Sequence, residues 1–523
     1  MKRRFGRAAQ MCVLVGTVTA TGVALAQPED PGGVPAPPEP GAAESELPAA
    51  APTRAPDQAA PSPEAEPGEA QPPIGNDEKR ALPDYDGRGE EPTTAGDVLI
   101  WIPRGIFFPA YVVSEYVIRW PLGKLTSALD EHDVPGILSD FFTFGPGDSS
   151  GLVPSALIDF GFRPSIGLYF FTDDVLWDGN AIRSHLAFGG VDWYRGTLTV
   201  RHKIQEESAD HHAQRMQIRT VFSHRPDWLF WGIGPMADAD EKSGYAAQRI
   251  DSTASFKGGL WRSSWLELYA GVRDVDFKDH ACCDEMPLSD GVRAGYYDFP
   301  PLYLDDYLIG RVGFNGALDT RKRRNAFDGE GTDHVSPPGS GFKLALRGEL
   351  AGSLRDVSPP TEMPYGTEQI RYLKYGASLG GYYDLYEQRT LGLQVMVDFV
   401  DPFADEGQIP FTELATLGGS RPMRGFLQYR LLDRSSAVAQ LEYRWPIWVS
   451  LDGTLHYAVG NVFGEHLDNF DPALLRQSFG AGFRASGSRD HSFEFLIAGG
   501  TETFDQGSTV DSLRFVFGAT SGF

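Results

Sequence analysis

The chain has 523 residues, of which 12% are aromatic, 60 are glycine and only 22% are charged. A formal net charge of −25 argues against a nucleic-acid backbone as its partner. Three cysteines, Cys12, Cys282 and Cys283, without CxxC or Cys/His zinc spacing, exclude a disulfide framework and a zinc finger.

The first predicted element is an export signal. Lys2, Arg3, Arg4 and Arg7 precede an apolar stretch from Met11 to Ala26, and Ala24-Leu25-Ala26 is an A-x-A cleavage site. Residues 1–26 therefore read as a signal peptide. Residues 27–77 hold 14 prolines, ten acidic residues, one base (Arg54) and no aromatic ring. Such a segment buries too little apolar surface to offset its ordering entropy, so a disordered Pro/Ala/Glu-rich tether is expected. Residues 78–152 read as a partly helical periplasmic attachment. Within it Val98 to Trp120 (VLIWIPRGIFFPAYVVSEYVIRW) is apolar but carries Arg104, Glu115, Arg119 and two prolines. That pattern fits amphipathic helices at a membrane surface or against a neighbouring domain better than a membrane span.

From about Val153 the period becomes two. Leu266, Leu268, Ala270 and Val272 alternate with Glu267, Tyr269 and Arg273, and Leu393, Val395, Val397 and Phe399 alternate with Gln394 and Asp398. Each strand thus has one greasy face and one polar face. The expected strands are 153–163, 166–173, 182–191, 193–203, 215–224, 246–259, 264–275 and 306–317. The series continues at 341–353, 369–384, 390–401, 437–448, 453–462, 477–486, 491–499 and 511–523. A soluble sandwich shows the same alternation with the greasy face inward. Export, strands mostly of barrel length, and connections that alternate between short and long favour the inverted arrangement. The fold expected for 153–523 is all-β: a 16-stranded antiparallel transmembrane β-barrel with a short helical N-terminal extension and an inserted loop at 402–436. With both termini periplasmic, the long connections fall outside the cell, except one oversized periplasmic joint at 318–340.

The last strand, SLRFVFGATSGF, puts Leu513, Phe515, Phe517, Ala519 and the terminal Phe523 in one phase. An outward aromatic ending resembles the way outer-membrane barrels present their final strand, so Phe515, Phe517 and Phe523 are the expected assembly signal.

At Leu417 the chain reads LGGSRPMRGF, followed by LEYRWPIW, HYAVGNVF and SFGAGFR. This resembles the signature of the BamA/TamA-type outer-membrane proteins (bacterial surface antigen family), whose sixth extracellular loop carries an LGG…RG(F/Y) element. ALDTRKRRNAFDGEGTDHVSPPGSGFKLAL looks like that family's DTRD turn and falls at the oversized joint. The resemblance covers about 155 to 523. It implies a loop folded back into the barrel, with Arg424 meeting a lumen-facing acid, Gly425 allowing close approach and Phe426 packing on the wall. The family's usual acid position is Ala458 here. Glu442, in the inward phase with Gln440 and Arg444, is then the expected lumen partner of Arg424. Between tether and first strand no β-α-α-β-β pattern is visible, so a POTRA-less member is expected.

Catalytic signatures are weak. GxSxG occurs around Ser149 (GDSSG) and Ser378 (GASLG), neither with the strand-turn-helix context of a nucleophile elbow. His211-His212 sits in an acidic turn and reads as solvated rather than as a metal site. Cys282-Cys283 lies in a long external loop, where adjacent cysteines rarely bridge. No enzyme activity, no catalytic residue, no cofactor and no metal are expected. The resemblance implies a barrel of the bacterial outer membrane that aids insertion or transport of proteins or lipids. Its implied partners are outer-membrane lipid, the barrel assembly machinery during biogenesis, and client outer-membrane proteins or lipids. A passive or selective pore and a structural surface-anchored barrel are the alternatives.

Overall fold

The computed structural model describes residues 141–523 apart from 207, 209–210, 281, 322–338, 356–368, 387–388, 404–406, 421, 449–450, 486–492 and 520–523. The expected signal peptide, the tether, most of the 78–152 attachment and Phe523 lie outside the described residues.

Sixteen strands make the wall. They are β1 (Ser150–Asp159), β2 (Ser165–Asp173), β3 (Asn180–Gly190), β4 (Trp193–Gln205), β5 (Gln214–Phe230) and β6 (Ser243–Gly259). Then come β7 (Trp265–Lys278), β8 (Tyr307–Asp319), β9 (Gly341–Ser353), β10 (Gln369–Tyr386) and β11 (Arg389–Pro402). The last five are β12 (Ser435–Trp448), β13 (Leu451–Phe463), β14 (Arg476–Ala485), β15 (Phe493–Thr503) and β16 (Val510–Ala519). Each pairs antiparallel with the next, and β1 closes on β16. Closure removes the open sheet edges that lipid could not satisfy.

The strand phase is inverted relative to a soluble core. Val312, Phe314 and Leu318 on β8 and Phe342, Leu344 and Leu346 on β9 are exposed, forming the lipid-facing band. Arg311 and Glu349 lie between them on the inner face and pair there. No helix among the described residues is long and apolar enough to cross a membrane.

Several strand ends lie a few residues from expectation, and one extension has a clear physical cause. β5 runs on to Phe230 because the register shift between Arg225 and Trp228 absorbs Pro226, which lacks a ladder N–H. The barrel also starts at Ser150, three residues earlier than the alternation suggested. In the 279–306 loop Cys282 and Cys283 are joined as a vicinal disulfide, contrary to the expectation that neighbours do not bridge.

Apart from 320–340, the long connections share one end, the outer end in the expected orientation. The 279–306 loop carries one short helix, α1 (Leu288–Ala294). Here Phe230, Tyr245, Phe277, Tyr303, Tyr307 and Phe411 form a buried aromatic cluster. Ring centroids of 5.5 Å join Phe411 to Phe230, Tyr245 and Phe277 in edge-on or tilted contacts. Strand ends, the 279–306 loop and the start of the inserted loop are thereby packed into one apolar core.

Candidate functional site

The segment between β11 and β12 enters the barrel as a hairpin, with Ala415–Leu417 pairing antiparallel to Leu431–Asp433. Gly418 and Gly419 turn the chain at φ 101° and 69°, a region open to glycine at little cost. The turn is closed by Gly419 N–H donating to Phe426 O at 2.9 Å and Phe426 N–H to Met423 O at 3.0 Å.

These turns press Arg424, Gly425 and Phe426 onto the inner wall of β14–β16. Gly425 N–H donates to Ser478 Oγ, and Ser512 Oγ donates to Gly425 O, both at 2.8 Å. A Cβ on Gly425 would stand 2.0 Å from Gly499 O, so only glycine allows this approach. The Phe426 ring fills the space above Gly500, where a Cβ would lie 2.5 Å from it. Leu417, Met423, Leu431, Val438, Ala458 and Val462 complete a small apolar cluster around it. Ala458, where the resemblance would place an acid, is therefore part of the apolar packing.

Arg424 is buried, and its guanidinium meets the Glu494 carboxylate on β15. The expected partner Glu442 is engaged elsewhere: Arg444 Nη2 donates to it at 2.6 Å, and Gln440 Nε2 at 3.4 Å. This corrects the pairing. Both acids face inward, but the polar tip of the loop, Arg424 and Gly425, rests on β14–β16, so Glu494 is the one within reach. Glu494 also accepts from Arg484 at 2.8 Å, so one carboxylate serves two guanidiniums. The alternation had put Glu494 in the inward phase but carried no information about its height in the barrel.

Arg514 on β16 ties the loop to the closing seam. It grips Asp159 on β1 through two bonds of 2.9 and 2.8 Å. Its Nη1 donates to the backbone oxygens of Gly419 at 2.5 Å and Arg424 at 3.2 Å. Outside the wall Phe515 packs with Phe160 at 5.2 Å and Phe517 with Phe493 at 5.1 Å.

A second anchorage holds the loop's stem. Glu413, in the short 3-10 turn Phe411–Glu413, is 1% exposed. Arg273 donates to it at 2.5 Å, Lys374 at 2.8 Å, and Tyr307 and Tyr372 at 3.1 Å each. Burial alone would push this carboxyl up, but the charges of Arg273 and Lys374 outweigh that and hold it well below the usual carboxylate range.

Other chemical candidates fall away. Ser149 lies just before β1 and Ser378 lies mid-strand in β10, so neither sits on a nucleophile elbow. His211 and His212 precede β5 without joining an acid cluster of metal-binding geometry among the described residues. Asp401, Glu465 and His466 do converge, but Arg434 already bonds both carboxylates at 3.2 and 2.9 Å.

A family model described as the Omp85 superfamily domain matches residues 307–493. Among solved structures the chain resembles BamA from Haemophilus ducreyi lacking POTRA domains 1-3, at 12% identity and a TM-score of 0.46, covering 71% of this chain and 70% of that one. It also resembles CdiB from Acinetobacter baumannii, at 9% identity and 0.40, covering 71% and 59%. The outer-membrane protein OprD from Pseudomonas aeruginosa follows at 10% identity and 0.30, covering 71% and 92%. No curated protein matches the chain.

Proposed function

Because the chain carries an Omp85 superfamily domain and belongs to that superfamily of bacterial outer-membrane barrels, we propose that it aids insertion or transport of proteins or lipids at the outer membrane, acting through the seam between β1 and β16. The observation that carries this reading is the thinness of the seam. Among the described residues Leu157, Ile158 and Asp159 pair with Gly518, Phe517 and Val516, and Phe160 N–H donates to Phe515 O at 3.0 Å, against eight register pairs between β1 and β2. Pro154 inside β1 has no N–H to offer a neighbour, as befits an edge strand. The wall is also low on the β1 side: β1 has 10 residues and β2 nine, against 17 in β5 and β6. A seam held by few described pairs is where an incoming strand could add or a portal into the bilayer could open.

The inserted loop packs on the inner wall of β14–β16, which favours this reading over a passive pore. The partners are then outer-membrane lipid, the assembly machinery during biogenesis, and client outer-membrane proteins or lipids. No step of this function requires catalysis.

The test locks the seam. Ile158 and Phe517 face each other across it, a spacing within disulfide range. Ile158→Cys/Phe517→Cys is made in a Cys282→Ser/Cys283→Ser background and expressed in cells depleted of the native copy. Quantitative outer-membrane protein and lipid profiles should fall under oxidising conditions and recover with reductant. Equal complementation by locked and reduced barrels would refute a seam function.

A further inference from the structure

We infer that the inner wall of β7, β8 and β10 is a receptor for an oxyanion, a phosphate or carboxylate group, which Glu413 of the inserted loop occupies as a built-in stand-in. Around one carboxylate the wall gathers a guanidinium, an ammonium and two phenol hydroxyls. Arg273, Lys374 and Tyr372 converge on Oε2, and Tyr307 donates to Oε1. All four donors belong to the wall and the acceptor alone belongs to the loop. Such a set binds oxyanions generally, because charged and neutral donors converge on a compact anion.

Two further observations point the same way. A cavity of about 230 Å³ opens beside Glu413, so a second anion has room to approach. The lining is cationic in a chain of net charge −25. Arg249, Arg273, Arg311, Arg347 and Lys374 face it. The wall carboxylates that pair with them are Asp251, Glu349 and Asp398. Without Glu413 these five cations exceed the wall's acids by two charges, and Arg249 keeps only a 3.4 Å contact to Asp251. The loop thus covers the wall and supplies its missing anion together. A phosphate-bearing ligand competes with Glu413 and favours withdrawal of the stem. This inference stands apart from the seam reading, since it concerns the opposite wall.

The experiment measures phosphate binding to the full chain in detergent, by calorimetry with sodium phosphate against sodium chloride at equal ionic strength. Glu413→Gln removes the competing charge while keeping the shape, and should bind inorganic phosphate at least tenfold more tightly than wild type. Glu413→Gln/Lys374→Met should lose that gain. Heat-modifiable mobility on gels reports that each variant is folded. Short-chain phosphatidic acid is the second probe: tighter binding of it than of phosphate assigns the site to a lipid headgroup, and the reverse assigns it to a free phosphate. A parallel arm on wild type, needed if Glu413→Gln does not fold, follows proteolysis of the 403–434 loop, which should rise severalfold with phosphate and not with chloride. Loop cleavage indifferent to phosphate, with no gain of binding in a folded Glu413→Gln, would overturn the assignment.

Discussion

Removing the two ends of the Arg424–Glu494 contact should have unequal effects, and the inequality tests the geometry. In Arg424→Ala the Glu494 carboxylate keeps Arg484 at 2.8 Å, so the loss is one charge-assisted hydrogen bond, about 1.5–3 kcal/mol. In Glu494→Ala both Arg424 and Arg484 lose their shared counter-charge in a site where Arg424 is 9% exposed, and an uncompensated buried charge costs about 3–5 kcal/mol. The double variant should be no worse than Glu494→Ala alone, because one of the two stranded cations is gone, giving a coupling at least as large as the Arg424→Ala effect, about 1.5–3 kcal/mol. Proteinase K cleavage of the 418–430 tip, at protease levels low enough to follow the open population, reads these differences. Since about 1.4 kcal/mol is tenfold, Arg424→Ala should speed cleavage by about ten- to a hundredfold and Glu494→Ala by more. The strand ladder does not depend on the loop, so the barrel should keep its heat-modifiable mobility throughout. Equal single effects, the reverse order, or strict additivity would refute the shared-carboxylate arrangement. The same assay on Glu442→Ala should show a smaller effect, because Glu442 binds Arg444 and not the loop.

Two further outcomes follow from the contacts. Gly425→Ala should free the tip about as fully as Glu494→Ala, since a Cβ placed 2.0 Å from Gly499 O must also break the Ser478 and Ser512 bonds; tip protection equal to wild type would show that the backbone does not lie against that wall. The Glu413 carboxyl is held well below its ordinary value of 4.5, so its contribution is complete above that value and is lost only as pH falls through the lower folded value. Stem protection should therefore be flat from neutral pH down to about 5, and a loss of protection within that window would refute the Arg273 and Lys374 pairing.

Much of the architecture was readable because a barrel wall is local chemistry repeated. Alternation along Leu266 to Val272 or Leu393 to Phe399 states which residues face lipid, and the turn residues between strands state where the chain reverses. The LGGSRPMRGF run likewise carried the inserted loop, since Gly418, Gly425 and the bulky Phe426 are the residue types that a tight turn and a close wall contact require. The pairings inside the lumen were not readable. Alternation assigns Glu442 and Glu494 to the same inner surface, and nothing local records which of them stands at the height of the loop tip. Glu413 was further out of reach. It sits in an aperiodic FTEL segment, and its partners lie between 39 and 140 residues away in sequence. Arg514 and Asp159 are 355 residues apart and meet only because the barrel closes. The expected end of β5 at 224 fell short in another way, since a bulge lets the strand continue past Pro226.

The loop is attached by two different kinds of chemistry, and this difference sets which part moves. The root around Phe411 is packed into an aromatic cluster whose burial is lost if it separates, so the stem leaves its wall less readily than the tip. The tip is held mainly by ions and polar bonds: Arg424 to Glu494, Gly425 to Ser478 and Ser512, and Arg514 to the backbone of Gly419 and Arg424. A buried ion pair contributes little net stability when both partners exchange it for water, although losing a single partner is costly. Withdrawal of the whole tip into a hydrated lumen therefore costs much less than any single truncation suggests, and Phe426 is the largest apolar loss. Arg514 couples this motion to the seam, because the same guanidinium that holds the tip also holds Asp159 on β1. In the proposed seam function, a departing tip would strip Arg514 of its backbone acceptors and weaken the closure beside it, so loop withdrawal and seam loosening would be coupled on the wall formed by β14–β16 and β1.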